Sequence, residues 1–258
     1  MASNEYAAFA AFYDRLTGNV DYTGLAGYLR ALFIRYGGTM PGTVLDLACG
    51  SGSLSLELAA DAEVIGVDAS PDMLALAADK AVGAGRNILF LRQDMRFLDL
   101  YGTVEGAVCV LDSLNHLLCT ADIRSVLHRL RLFLDPGGLF IFDVNTPFKH
   151  RTVLGDQAFV LEEENICCVW RNRYIPRTCE VAMTLDFFCR TGADDLYQRL
   201  TDEVRERAYS ERTLRCLLAE EGFETLAVMG DRSFLPPKPE EERMVFVTRN
   251  TRMVEEAR

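Results

Sequence analysis

The densest group of residues able to do chemistry is Asp46-Leu47-Ala48-Cys49-Gly50-Ser51-Gly52-Ser53, between a short apolar run and a stretch of helical period. Glycines at 50 and 52 permit positive φ and a close approach of backbone to ligand, and the helix that follows offers unpaired N–H groups. Taken alone, G-x-G describes any tight strand-to-helix turn. Two further segments point to a ligand. Asp68 ends the next apolar run, sixteen residues beyond Gly52, where a carboxylate can accept both hydroxyls of a ribose. Gln93-Asp94-Met95 ends the third run, where Asp94 can take an adenine amino group and Met95 can cover the ring. The ligand so described is an adenosine. A dinucleotide fits its remainder poorly, because the loop lacks the third glycine that packs under a pyrophosphate. Asp46, four residues before Gly50, faces an ammonium better than a phosphate, so an amino-acid tail fits best.

A second group lies after the fourth run, in Leu111-Asp112-Ser113-Leu114-Asn115-His116. His116 could accept a proton from an incoming amine or hydroxyl, since imidazole titrates near neutral pH; its bland reading is a surface or capping histidine. Asp112, Asp143 and Asn145 could ligate Mg²⁺, but Asp143-x-Asn145 equally fits a strand-end turn, and no metal is expected. Near the N-terminus Tyr6, Phe9 and Tyr13 fall on one face of a helix, a stripe that is more often core than site. Tyr22 is a weaker candidate.

The elements that must position these groups follow from periodicity. Residues 43–47, 64–67, 88–91, 107–111 and 139–142 are β-branched or apolar runs alternating with helical stretches, the pattern of a parallel sheet covered on both faces. The fold class is therefore α/β, doubly wound and Rossmann-like. Ser70-Pro71-Asp72 and Thr120-Ala121-Asp122 read as helix starts, and Asp135-Pro136-Gly137-Gly138 as the turn into the fifth strand. From 159 to 207 the alternation gives way to four extended segments, an antiparallel β insertion after the fifth strand. Ser210 caps a helix that stops at Gly222, and residues 224–229 and 243–248 supply two final strands. This divides the chain into an N-terminal helical segment 1–36, an α/β core 37–150, the insertion 151–208 and a completion of the core sheet 209–258.

Composition narrows the partners. A net charge of −11 over 258 residues, with no Lys/Arg run, speaks against nucleic acid and anionic membrane. The eight cysteines form no C-x-x-C pair and sit in apolar runs, as reduced thiols of a cytoplasmic protein do. Residues 1–11 carry Glu5 and no basic leader region, and no apolar run reaches the roughly 18 to 20 residues of a membrane span, so a cytoplasmic protein is expected.

Together these residues resemble the class I S-adenosylmethionine-dependent methyltransferases, from about Tyr6 to Thr248. Within them the chain looks most like a group of bacterial small-molecule methyltransferases sharing Tyr13-Asp14-x-Leu16, Val20-Asp21-Tyr22, Leu45-Asp46-Leu47-Ala48-Cys49-Gly50-x-Gly52, Leu111-Asp112-Ser113-x-Asn115, Phe140-Ile141-Phe142-Asp143-x-Asn145 and Glu206-Arg207-Ala208-Tyr209. The resemblance implies a seven-stranded sheet and S-adenosylmethionine as cofactor, S-adenosylhomocysteine as product. Asp46 to Gly52, with Ala48, Cys49 and Gly50, would hold the methionine portion, Asp68 the ribose, and Asp94 with Met95 the adenine. Ala69, Met73, Leu111 and Asp112 complete the expected contacts. The N-terminal segment would fold over the cofactor as a lid, bringing Tyr13 to it, so that Tyr13 and His116 are the catalytic candidates. The expected reaction is N- or O-methylation of a small molecule by a monomer or homodimer. A protein or tRNA methyltransferase and a non-catalytic S-adenosylmethionine binder are the alternatives. No Pro-Cys pair for cytosine C5 attack exists, and Cys109-Val110-Leu111-Asp112 is not the Asn/Asp-Pro-Pro-Tyr element of base N-methylation.

Overall fold

The computed structural model describes residues 20–191 and 196–252. Seven strands form one sheet: β1 (Thr43–Leu47), β2 (Glu63–Asp68), β3 (Leu89–Arg92), β4 (Val104–Cys109), β5 (Leu134–Asn145), β10 (Phe223–Gly230) and β11 (Arg243–Asn250). Their order across the sheet is β10-β11-β5-β4-β1-β2-β3. Strands β1 to β5 are parallel, and β11 runs antiparallel between β5 and β10. The order reverses between β1 and β4, so the carboxyl ends of these two strands diverge into a crevice, the place where open α/β sheets hold ligands.

Two apolar cores follow from the alternation of side chains along each strand. On one face Leu45, Leu47, Phe140, Phe142 and Phe246 meet Leu127 and Leu130 of α4 (Thr120–Phe133) and Leu214 and Leu218 of α5 (Glu211–Glu220). Phe142 and Phe246 stack at 4.8 Å between centroids. On the other face Val44, Val108, Ile141, Val245 and Val247 meet α1 (Tyr22–Gly37) through Leu25, Leu29, Leu32 and Phe33, and α2 (Ser53–Leu58) through Leu54 and Leu58. Helix α3 (Pro71–Gly83) is capped by Ser70, whose hydroxyl accepts from Met73 N at 3.3 Å, with proline at the first position. The same parity carries Asp46, Asp143 and Arg243 to the α1 side, at or beside the carboxyl end of the crevice.

The insertion is a separate antiparallel sheet in the order β6-β7-β8-β9: β6 (Ala158–Glu163), β7 (Ile166–Ile175), β8 (Glu180–Arg190) and β9 (Tyr197–Arg207). Two expected boundaries need correction. The fourth strand ends at Cys109 rather than at 111, because Leu111 and Asp112 take left-handed backbone, φ +56 and +57, and cannot stay extended. Asp135 to Gly138 do not turn into β5 but bulge within it, since Leu134 already pairs with Val104 and pairing resumes at Leu139 with Gly106. Of the segment 1–36, residues 22 onward form a helix packed into the core, while Tyr6, Phe9 and Tyr13 lie outside the described residues. No helix of the described residues is long and apolar enough to cross a membrane.

Candidate active site

At the divergence of β1 and β4 a cleft is lined by Tyr22, Asp46, Gly50, Ser53, Leu111 and Ser113, among others. Its floor is the glycine loop. Ala48, Gly50 and Gly52 have φ of +61, +53 and +73, and Gly52 starts α2 in the left-handed region. A Cβ on Gly52 would stand 2.8 Å from the Cβ of Ala77 in α3, so the close packing of α2 on α3 requires glycine there as much as the turn does. Lys80 of α3 donates to the hydroxyls of Ser51 (2.9 Å) and Ser53 (2.8 Å), pinning the loop from outside.

Asp46 is buried, and its Oδ2 accepts from Ser55 Oγ at 2.5 Å. Burial pushes its carboxyl up to about 6, against the Ser55 hydrogen bond and with a smaller contribution from Asp68. A carboxylate in that state gains most from a cation placed in the cleft it lines. Asp68 braces the loop from the end of β2, its Oδ2 accepting from Gly50 N and its Oδ1 from Ser70 N, each at 2.8 Å. It thus stands beside the glycine loop, with part of its accepting capacity engaged. Cys49 turns its thiol inward, and burial raises it well above the usual range.

The expected adenine contacts follow the end of β3. Asp94 accepts from Arg96 N and is clasped by the Arg96 guanidinium, Nη2 to Oδ2 at 2.6 Å and Nε to Oδ1 at 3.0 Å. The hydrogen bond from Arg96 holds its carboxyl below the ordinary value. Met95 packs against the core, Met73 is buried in the first turn of α3, and Ala69 is exposed. Of the expected contacts, Asp46, Ala48, Cys49, Gly50 and Leu111 line the cleft, whereas Gly52, Asp68, Ala69, Met73, Asp94, Met95, Asp112 and His116 lie outside its lining. His116 is exposed at the end of the short helical turn Ser113–His116.

Across the cleft from the glycine loop, the left-handed pair Leu111 and Asp112 is held from β5 and β11. Asp143 accepts from Leu111 N at 2.9 Å and from Asp112 N at 2.7 Å. Arg243 donates to Asp143 and Asp112, each at 2.6 Å. Burial alone would raise the Asp112 carboxyl; the charges of Arg243 and Lys149 and the Arg243 hydrogen bond override it and hold it below the ordinary value. The two carboxylates weighed as Mg²⁺ ligands are thus bridged by a guanidinium, and Asn145 belongs to another network.

That network ties the insertion to the core. Asn115, fully buried, donates to the carbonyls of Asn145 (3.2 Å) and Arg207 (2.9 Å), and its own oxygen accepts from Asn145 N. Glu206 at the end of β9 accepts from Asn145 Nδ2 at 3.1 Å and lies 3.3 Å from Nε2 of buried His150. Tyr209 donates to the Leu117 carbonyl and Arg207 to that of Leu118. The insertion therefore hangs from the carboxyl ends of β4 and β5, beside the cleft. Sequence reasoning missed Ser55, Lys80 and Arg243, which hold the residues around the cleft, and His150 in the network beside it. Their only local signal was a charged or polar side chain within an apolar or helical run.

A model of the methyltransferase domain family matches residues 44–138, from the start of β1 into β5. A candidate methyltransferase of Geobacillus sp. (strain WCH70) is 30% identical over 245 residues, covering 95% of this chain and 99% of that protein. The crystal structure of an S-adenosylmethionine-dependent methyltransferase from Clostridium acetobutylicum ATCC 824 superposes with a TM-score of 0.85 at 28% identity, covering 95% of this chain and 99% of the other. The fold is also that of the sugar N-methyltransferase KedS8 from Streptoalloteichus sp. ATCC 53650, with a TM-score of 0.74 at 20% identity over 91% of this chain and 92% of that one.

Proposed function

The chain belongs to the class I S-adenosylmethionine-dependent methyltransferases, and we propose that it methylates a nitrogen or oxygen of a small molecule received beneath the β6–β9 sheet. One observation carries the reading: that sheet is anchored by Asn115, Asn145 and Glu206 at the carboxyl ends of β4 and β5, the side of the cleft facing away from Asp68. An appended wall at this place encloses a compact acceptor better than a polymer. The likeness to a sugar N-methyltransferase supports the same size of acceptor, and the net charge of −11 disfavours nucleic acid.

The residues present suit the cofactor. Asp46 offers a buried carboxylate to the methionine ammonium, the glycine loop offers backbone room, and Asp68 offers its remaining lone pairs to the ribose. Bound S-adenosylmethionine supplies an electrophilic methyl group on a sulfonium, already an activated leaving group. The protein's part is to hold the acceptor atom in line and to exclude water, which can supply much of the rate. The acceptor's proton is lost to solvent or to exposed His116, and Tyr13, on the N-terminal segment, is assigned to cover the cofactor. All eight cysteines are free, in keeping with a cytoplasmic setting.

The deciding experiment is a screen of amino sugars, amino acids and small phenols for S-adenosylhomocysteine release. Turnover with one class identifies the acceptor. Tight S-adenosylmethionine binding with no release from any class, but methylation of a protein extract, would replace the reading with a protein methyltransferase.

A further inference from the structure

Arg243 lies at the first residue of β11, far in sequence from every motif that marks the cofactor site, yet its guanidinium reaches the wall of the cleft. It is largely buried, with 14% of its side chain exposed, and donates separately to Asp143 Oδ1 and Asp112 Oδ1 at 2.6 Å each. Burial works against its charge, and Asp143 with Asp112 more than restores it. Asp143 in turn accepts from both backbone N–H groups of Leu111 and Asp112. Those two residues are non-glycine residues in left-handed backbone, φ +56 and +57, each an expensive conformation that persists only where surrounding bonds enforce it.

We propose that Arg243 is a positioning residue for methyl transfer, locking the strained Leu111–Asp112 turn so that the wall facing the glycine loop is preformed around the sulfonium end of the cofactor. The assignment rests on the cofactor orientation given above. With the ribose at Asp68 on β2, the amino-acid and sulfonium end spans β1 and β4, where Leu111 and Ser113 line the cleft. Asp112 accordingly serves as an anchor and not as a base, since its carboxylate is fixed to Arg243. The guanidinium is suited to this by its fork: one nitrogen holds the carboxylate that caps the turn, the other holds the turn's own side chain. An ammonium can reach one of these groups well but not both in the same geometry.

The test compares Arg243→Lys with wild type by calorimetric titration of S-adenosylhomocysteine and of adenosine, which lacks the homocysteine portion. The expected result is a loss of about tenfold or more in S-adenosylhomocysteine affinity with adenosine affinity changed less than twofold and the thermal midpoint nearly kept. A purely structural role would weaken both ligands alike. If Arg243→Lys does not fold, Asp112→Asn, which keeps a side chain tolerant of left-handed backbone but removes the charge pairing with Arg243, is read in the same way, with a smaller selective loss expected. Equal loss of both ligands, or no loss of either, in a folded variant overturns the proposal. Failure of the wild-type protein to bind S-adenosylhomocysteine would instead overturn the cofactor orientation on which it rests.

Discussion

Asp46 sits among apolar strands with the Ser55 hydroxyl as its donor among the described residues, and its carboxyl is raised to about 6, chiefly by burial. An ammonium in the cleft favours the ionised form, so cofactor binding must expel a proton wherever the free protein carries one. Affinity for S-adenosylhomocysteine should therefore climb from pH 5 to pH 7, by at most tenfold per unit, and level off above. Asp46→Asn should flatten this slope and lose the plateau; titrations across pH 5 to 8 that show no slope in wild type would remove Asp46 from the ammonium site. Asp68→Ala should cost at least tenfold in the same affinity, since charge-assisted hydrogen bonds of this kind are worth roughly 1.5 to 3 kcal/mol. Because Asp68 also holds Gly50 N and Ser70 N, some loss of thermal stability is expected alongside. The position of both carboxylates beside the glycine loop was legible in the sequence through their spacing from the glycines. Asp94 was legible as a strand-end carboxylate, but its pairing with Arg96, two residues on, decides where its charge goes. His116 was legible as a titratable residue after the fourth run, while its exposure is set by which side of a short helical turn it occupies.

At the scale of elements, the four-stranded insertion could be read from its alternation because each strand's pattern is local. What fastens it could not. Asn115 meets Arg207 across 92 residues and Glu206 meets His150 across 56, and nothing in a window of a dozen residues records such a meeting. Glu206 is buried and accepts from Asn145 while facing His150, so Glu206→Ala leaves two buried polar groups without their acceptor. Leaving a buried donor without its acceptor costs about 1 to 3 kcal/mol. Urea unfolding should show a loss of that order, and hydrogen exchange should quicken in β6 to β9 more than in β1, β4 and β5, which keep their own core. A variant with wild-type stability and unchanged exchange would show that the insertion is held by its apolar contacts through Leu154, Val181 and Met183 instead. The same reasoning explains the misplaced end of β4: residues 110 and 111 are apolar and read as strand, while the left-handed turn at 111 and 112 is imposed by Asp143 and Arg243 from other strands.

For the whole molecule, a ligand at the switch point touches loops that belong to two halves of one sheet, β1 to β3 on one side and β4 onward on the other. Unfolding either half destroys the site, so binding stabilises both together. At a free concentration a thousand times the dissociation constant, a ligand bound only by the folded state adds about 4 kcal/mol. A chain of this length converts that into a rise of about 8 °C in thermal midpoint. S-adenosylhomocysteine should produce such a rise in a single transition, measured by calorimetry. Bulk tRNA should produce none, because a surface carrying a net charge of −11 repels a polyanion and no basic run on the chain offsets it. Addition of salt separates the two cases further: the ligand's shift depends mainly on contacts inside the cleft and should persist, whereas any weak association with tRNA should fade as counterion release loses its advantage. A tRNA-induced rise comparable to that from S-adenosylhomocysteine at physiological salt would count against a small-molecule acceptor and favour a polymer, whatever the wall built by β6 to β9 suggests.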